Sequence, residues 1–179
     1  MSRLTVPTYE SSPDASRPLL DTVEAQLGVI PNLFRLLGSS PAVLEGFLGL
    51  HGALGRTLDV KTRNRLAIAT ASANGCDYCM SAHSYLGANL AKLEEAEMAA
   101  NRRGRSNDAR ADAAVAFAFL VAKNRGKVGD AELAAVKLAG FSDAQVVEIV
   151  ATVALNTLTN LLNNVADTAI DFPVVRAAA

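Results

Sequence analysis

The placement of proline is the strongest constraint that this sequence puts on its fold. The six prolines lie at positions 7, 13, 18, 31, 41 and 173, so the stretch 42–172 contains none. Proline breaks helices and marks turns, whereas alanine is the best helix former, and the chain contains 33 alanines. A proline-free stretch of this length, rich in alanine and leucine, predicts an all-α fold.

Capping residues and glycines divide the chain into a series of helices. Asp59 or Thr62, Asp130 and Ser142 are expected to cap helices, and Gln145 completes a capping-box pattern behind Ser142. We predict an irregular N-terminal arm at 1–17 and a single helical domain at 18–179. The predicted helices cover 19–27, 31–38, 42–56, 60–74, 76–91, 94–102, 108–126, 131–140 and 143–170.

Length and composition exclude several classes of protein. The chain of 179 residues has the length of one ordinary domain, and its 50% apolar content excludes disorder over most of the sequence. With 17 basic and 18 acidic residues, the net charge of −1 offers no basic face for nucleic acid. We expect no membrane span, because polar residues break every long apolar stretch. The N-terminus has no apolar core of signal-peptide length, so we expect a cytoplasmic protein.

The segment ANGCDYCMSAHSYLG carries the chemistry. Cys76, Cys79 and His83 are spaced i, i+3 and i+7, so they share one face of a helix that begins after Asn74-Gly75. The start of a helix presents free N–H groups and a partial positive charge, and both stabilise a thiolate. His83 can act as a base towards Cys79, and the second thiol can resolve a sulfenic acid into a disulfide.

Three interpretations of the cysteine pair remain open on these grounds. A structural zinc site usually needs four ligands from two separated pairs, and the chain has no second CxxC. Two inert cysteines could pack as small hydrophobic residues. Reversible dithiol chemistry is the third interpretation and the one that the helix-start position favours. We therefore predict no metal and no cofactor.

The stretch KTRNRLAIATASANGCDYCMSAHS resembles the core of the alkylhydroperoxidase D-like, or carboxymuconolactone decarboxylase-like, superfamily. The flanks GVIPNLFRLLGSSPAVLEGFLGLHGAL and NLLNNVADTAIDFP are similar to the ends of its peroxidase-related subgroup. The resemblance covers about residues 28–173 and implies a compact all-helical fold with its CxxC-xxx-H core at 61–91. It also implies a homo-oligomer, a trimer or a hexamer.

The resemblance implies an antioxidant thiol peroxidase or disulfide reductase whose partners are a peroxide and a dithiol electron donor. The decarboxylase branch generally lacks the cysteine pair, so Cys76 and Cys79 favour the redox branch. Carried over from the family, Cys79 is the thiol that meets peroxide, Cys76 is the resolving thiol, and His83 is the family's histidine. The family's glutamate, twelve residues before the first cysteine, is here Asn64, which cannot accept a proton.

Other polar residues leave alternatives open. His51, inside a predicted helix, is either a half-buried or interfacial histidine or a substitute proton relay. Asn156, Asn160 and Asn164 form a stripe that either joins helices or subunits or reaches the thiols. The alternatives to an oxidoreductase are a non-enzymatic or redox-sensing helical oligomer and a carboxymuconolactone decarboxylase-like enzyme.

Overall fold

The computed structural model describes residues 2–177, and the regular elements in that range are helical. A 3-10 turn at Asp14–Ser16 precedes nine α-helices within the described residues. They are α1 (Arg17–Leu27), α2 (Asn32–Leu37), α3 (Pro41–Leu54), α4 (Val60–Ala73), α5 (Asp77–Asn89), α6 (Glu95–Arg102), α7 (Ala109–Lys123), α8 (Asp130–Leu138) and α9 (Asp143–Ala166). The all-α prediction is confirmed.

Helix α4 is the centre of the fold. Every residue from Leu66 to Ala71 is buried, because α5, α6, α7 and α9 all pack around it. A helix that is apolar on all sides is a buried helix, and the alanines of α4 let its neighbours approach closely. The arrangement brings α5, which carries both cysteines, against the long helix α9.

Two of the predicted helix caps are confirmed and one is wrong. The Asp59 side chain accepts a hydrogen bond from the Thr62 backbone N–H at 2.9 Å, so α4 begins after Asp59 and not at Thr62. Ser142 and Gln145 form the predicted capping box of α9. The N-cap of α8 is Gly129 rather than Asp130. There the Glu132 carboxylate accepts the Gly129 N–H at 2.9 Å, which places Asp130 inside the first turn.

Helices α7 and α9 show the largest differences from their predicted ends. Helix α7 ends at Lys123, because Arg125 and Gly126 both adopt positive φ and turn the chain. Helix α9 ends at Ala166 instead of continuing to 170, and Asp167 adopts the left-handed conformation at φ 48°. The N–H of Thr168 then bonds the Asn163 carbonyl and closes the helix end. Residues beyond it form an extended tail.

The irregular N-terminal arm is shorter than the predicted 1–17, and it is bonded to the end of α9. The 3-10 turn begins at Asp14 and α1 at Arg17, so within the arm the residues outside helices are 2–13. Ser2 Oγ accepts the Ala169 N–H at 3.0 Å, and the Arg3 N–H bonds the Ala166 carbonyl. The arm therefore lies against the end of α9 in the same chain.

Within the described residues, α9 is the one helix that is long and apolar enough to cross a membrane by length and composition. Its apolar window has a mean hydropathy of 1.3 and is 39% buried inside the fold. A core helix meets the same criteria. Since α9 packs against α3, α4, α5 and α7, its hydropathy carries no argument for a membrane span.

Candidate active site

The connection between α4 and α5 sets the position of Cys76. Gly75 adopts φ 60°, a conformation that side-chain-bearing residues rarely take, and Cys76 follows as the N-cap of α5. The Cys76 sulfur accepts a hydrogen bond from the Cys79 backbone N–H at 3.4 Å. The prediction of a CxxC pair at a helix start is therefore confirmed, and both residues are free cysteines.

Helix α9 supplies the polar partners of Cys79. The Asn163 amide Nδ2 donates a hydrogen bond to the Cys79 sulfur at 3.3 Å, and the thiol lies 3.8 Å from Thr159 Oγ1. The Thr159 hydroxyl donates its own hydrogen to the Asn156 carbonyl, so it acts as an acceptor for the Cys79 S–H. The thiol thus has Thr159 as its acceptor, whereas the thiolate has Asn163 as its donor.

The two thiols have opposite shifts in acidity. Hydrogen bonds from the Cys76 thiol and from the Asn163 amide lower the pKa of Cys79 to about 7, against the opposing effect of burial. The pKa of Cys76 is raised, because its thiol donates to Cys79 and because it is buried. Above about pH 7 the pair therefore holds one proton, on Cys76, with the negative charge on Cys79.

The predicted asparagine stripe takes part in this arrangement only through some of its members. Asn160 is fully buried, and its Oδ1 accepts from Asn74 Nδ2 at 2.9 Å, while its own Nδ2 has no partner among the described residues. The Asn160 amide is also among the groups that lower the Cys79 pKa. Asn164 instead donates to the Asn74 carbonyl at 3.0 Å, and Asn156 donates to the Thr152 carbonyl at 2.8 Å.

Asn64 holds His83 by two hydrogen bonds. Its Oδ1 lies 3.3 Å from His83 Nδ1, and its Nδ2 donates to the His83 carbonyl at 3.0 Å. The acceptor at Oδ1 assigns the ring proton to Nδ1 and leaves Nε2 free to accept. A Cβ on Gly87 would lie 2.6 Å from Asn64 Nδ2, so only glycine at this position lets Asn64 reach α5.

His83 is a neutral imidazole that is not bonded to a thiol. Burial and the neighbouring His51 lower the pKa of His83 to about 4. Among the described residues, the side chains that bond the Cys79 sulfur are those of Cys76, Thr159 and Asn163, and His83 is not one of them. The direct Cys79–His83 hydrogen bond that the i, i+4 spacing suggests is therefore not formed.

Cys79 and His83 share the wall of a cavity of about 350 Å³. His51 also lies on this wall, stacked on Phe47 with ring centroids 5.8 Å apart. Most of the other lining side chains are apolar. They come from α1, α2, α3, α5, the residues that follow α1 and α5, and the C-terminal tail: Val23, Leu27, Val29, Leu33, Phe34, Leu48, Leu54, Leu86, Leu90 and Phe172. Cys79 therefore forms part of the wall of a mostly apolar cavity.

The C-terminal tail covers the start of α5. Arg176 pairs with Asp77 at 2.6 Å. The Ser81 hydroxyl donates a hydrogen bond to the Val175 carbonyl and accepts one from the Val175 N–H. The Asp171 carboxylate accepts from the Tyr78 hydroxyl at 2.8 Å. With this tail in place, Cys76 is 0% exposed and Cys79 is 2% exposed.

The model of the carboxymuconolactone decarboxylase family matches residues 41–124, a range that contains Asn64, both cysteines and His83. A crystal structure described as the core of alkylhydroperoxidase AhpD, an uncharacterised peroxidase-related protein from Ralstonia eutropha JMP134, superposes with a TM-score of 0.83 at 27% identity. It covers 95% of this chain and 92% of that one. Together, the family match and the shared fold support an assignment to the alkylhydroperoxidase D-like, carboxymuconolactone decarboxylase-like superfamily.

Two further structures share the superfamily fold at lower identity. A peroxidase-related protein from Silicibacter sp. TM1040 has a TM-score of 0.80 at 21% identity, over 94% of this chain and 91% of that one. The debrominase Bmp8, in complex with 2,3,4-tribromopyrrole, has a TM-score of 0.80 at 22% identity, over 96% and 94%. Among curated proteins, no sequence matches the chain significantly.

Sequence reasoning missed the two residues that bond the Cys79 sulfur. Asn163 and Thr159 lie about 80 residues from the motif, at helical positions with no chemical signature. The available signal was the density of asparagines on α9, which pointed to the correct helix but to other positions on it. Between residues 2 and 177, no cluster of three or more His, Cys, Asp or Glu side chains is arranged to hold a metal ion.

Proposed function

We propose that this protein is a thiol-dependent peroxidase that cycles Cys76 and Cys79 between dithiol and disulfide. One observation carries the proposal: the thiol with a pKa near 7 lies on the wall of the cavity, within one helical turn of a second thiol. The thiolate is the nucleophile that attacks a peroxide oxygen, so a thiol that ionises near neutral pH suits this reaction.

The proposed cycle has three balanced steps. The Cys79 thiolate attacks the terminal oxygen of a hydroperoxide ROOH, the O–O bond breaks, and the alcohol ROH leaves after the alkoxide takes a proton. Cys79 is then a sulfenic acid, and the Cys76 thiol attacks its sulfur, which forms the disulfide and releases water. An external dithiol reduces the disulfide by thiol–disulfide exchange and is itself oxidised.

The polar groups of the cavity have separate roles in this proposal. Cys76 is the resolving thiol, because its raised pKa keeps the proton that it later gives up on disulfide formation. His83 presents a neutral Nε2 that can take up and return a proton, and Asn64 fixes that tautomer through Nδ1. Asn64 adds no charge, so the imidazolium has no carboxylate partner and proton transfer is expected to be slow.

The test is peroxide consumption by reduced protein, with a panel of dithiol donors that includes dihydrolipoamide. Wild type should consume many equivalents of peroxide per chain. Cys79→Ser should abolish consumption, and Cys76→Ser should stop after one equivalent with a trapped sulfenic acid. If wild type stops after one equivalent with every donor, the pair is a redox sensor rather than a turnover enzyme. If both thiols persist under excess peroxide, the dithiol cycle is wrong.

We also propose that the active form is a homo-oligomer, a trimer or a hexamer. Helix α9 exposes an apolar stripe whose most exposed members are Val147 (68% exposed), Leu161 (57%) and Val165 (63%). Exposed apolar stripes of this kind mark protein–protein contacts. Light scattering should give three or six times the 18.7 kDa chain mass. Leu161→Glu should lower it, whereas Leu138→Glu on α8 should not, and a wild-type monomer at micromolar concentration would contradict the proposal.

A further inference from the structure

The cavity beside Cys79 is electrostatically one-sided. None of the described residues that line it is an aspartate or a glutamate. The titratable groups on its wall, besides Cys79 and two tyrosines, are His51, His83 and the guanidinium of Arg63. A mostly apolar cavity with one cation and no carboxylate suits a ligand that has an apolar body and a negative charge.

The Arg63 side chain is held by backbone carbonyls through one of its nitrogens, and its other N–H donors are unused among the described residues. Its Nη1 donates to the Gly55 carbonyl at 2.7 Å and to the Leu58 carbonyl, both in the loop between α3 and α4. Among the hydrogen bonds of the described residues, none uses its Nε or Nη2, and no ion pair in that part of the chain includes Arg63. These two donors form the edge of the guanidinium that binds a carboxylate by two parallel bonds.

The cation and the thiol lie at different depths of the cavity. Asn64, the residue after Arg63, is level with His83 across the α4–α5 contact. Cys79 precedes His83 by four residues, which is about 6 Å along the axis of α5. The Arg63 side chain turns the other way, towards the α3–α4 loop. A ligand whose anionic group bonds Arg63 therefore needs an apolar segment to reach the thiol.

The volume limits the length of that segment. A cavity of about 350 Å³, at about 30 Å³ for each water-sized group, has room for about a dozen non-hydrogen atoms. A straight-chain carboxylate of about ten carbons fills such a space. The aromatic rings of Phe34 and Phe47 and the side chain of Leu86 line the path of such a chain.

We propose that this cavity binds an apolar monocarboxylate of about this size, with the carboxylate on Arg63 and the chain directed at Cys79. Resting on the proposed peroxidase function, the natural substrate is then a hydroperoxide of such an acid, reduced to the hydroxy acid as the thiols form their disulfide. His51, which lies close enough to Arg63 to feel its charge, can offer a further N–H to the same carboxylate.

The first experiment measures binding without any reaction. Decanoate and decanamide have the same length and differ in charge, so calorimetric titration of each into the reduced protein isolates the contribution of the charge. Decanoate should bind about tenfold more tightly than decanamide, because a hydrogen bond to a charged group is stronger than one to a neutral group. Equal affinities, or no binding of either probe, would overturn the proposal.

Variants then locate the carboxylate. Arg63→Gln should abolish the preference for decanoate, and Arg63→Lys should keep part of it as a point charge. Arg56→Gln is the matched control, since Arg56 lies in the α3–α4 loop that Arg63 bonds but does not line the cavity. A preference that survives in Arg63→Gln, or that is lost equally in Arg56→Gln, would place the anion elsewhere and sink the assignment.

The kinetic arm separates this proposal from the peroxidase function. With a carboxylated hydroperoxide, Arg63→Gln should raise KM about tenfold. Arg56→Gln, outside the cavity lining, should match wild type with both the carboxylated hydroperoxide and hydrogen peroxide. If the thiols fail to react with any peroxide but decanoate still binds through Arg63, the binding site stands and the peroxidase proposal fails. If hydrogen peroxide is consumed and the carboxylate gives no advantage in KM, the peroxidase stands and this inference fails.

Discussion

The hydrogen bond from Asn163 to Cys79 offers the sharpest test of how the fold activates a thiol. Leucine at position 163 keeps the branched shape of asparagine, although it is bulkier, and removes the donor that lies 3.3 Å from the sulfur. It also removes Asn163 Oδ1, a buried acceptor without a partner among the described residues, which offsets part of the cost of the added bulk. Asn163→Leu should therefore fold, with a free energy of unfolding lower by about 1–3 kcal/mol at most. The expected result is a Cys79 thiol with a higher pKa.

The size of the change follows from general magnitudes. A hydrogen bond to a charged group contributes about 1.5–3 kcal/mol, and one pKa unit corresponds to about 1.4 kcal/mol. The pKa of Cys79 should therefore rise by about one to two units from its value of about 7. At pH 7 the thiolate fraction then falls from about one half to between about 10% and 1%.

Nucleophilicity changes in the opposite direction. A thiolate of higher pKa is intrinsically more reactive, with a Brønsted coefficient of about 0.4–0.5, so its rate constant rises about three- to eightfold. Oxidation of Asn163→Leu by hydrogen peroxide should thus be only about two- to sixfold slower at pH 7. At about pH 9.5, where Cys79 is largely ionised in both proteins, oxidation of the variant should be faster than that of wild type.

Stopped-flow oxidation of fully reduced proteins from pH 5 to 10, with thiolate absorbance followed in parallel, measures both effects. Asn164→Leu is the matched control, because the neighbouring Asn164 amide bonds the Asn74 carbonyl and not a thiol. Its pH profile should coincide with that of wild type. If the profiles of Asn163→Leu and wild type run parallel without crossing, then Asn163 does not set the acidity of Cys79 and the reasoning fails.

Three further changes test the surroundings of the thiols. Asn64→Glu should raise the pKa of His83 from about 4 and speed peroxide oxidation of Cys79 about tenfold, measured from pH 5 to 9. Asn64→Gln, whose side chain has the length of glutamate but no charge, should bring no gain. Equal oxidation rates for the two variants would exclude Asn64 from proton transfer. Gly87→Ala should lower the free energy of unfolding, measured by urea melts, by about 1–3 kcal/mol, since its Cβ would lie 2.6 Å from the Asn64 amide. Gly49→Ala, whose Cβ meets nothing within 4 Å, should not lower it. An unchanged free energy of unfolding in Gly87→Ala would refute the close approach of Asn64. The pKa of His83 in the folded protein lies below the unfolded value of 6.5, so the unfolded state binds the proton first. Wild type should therefore lose stability as the pH falls from about 6.5 to about 4, and His83→Gln should lose less in the same urea melts. Equal losses in the two proteins would show that His83 does not titrate in this way.

Local chemistry was enough to predict much of this fold. Caps and glycines act over a few residues, so Ser142 with Gln145 and Asp59 with Thr62 mark helix starts wherever the helices later pack. The N-cap position of Cys76 follows from the turn at Gly75 for the same reason. The failures lie where a distant contact competes with a local preference. The end of α9 is one example, since the tail beyond Ala166 leaves the helix to bond α5 and the start of α2.

By itself, the sequence determined an all-helical chain that places two thiols and a histidine on one face at the start of a helix, because helical spacing and capping are properties of neighbouring residues. Only the tertiary structure decided which groups touch those thiols. Asn163 and Thr159 reach Cys79 because α9 crosses α5, and His83 bonds Asn64 instead of a thiol because Gly87 lets α4 approach. The cavity and its single guanidinium arise in the same way, from helices far apart in the chain, so neither spacing nor composition carries a trace of them.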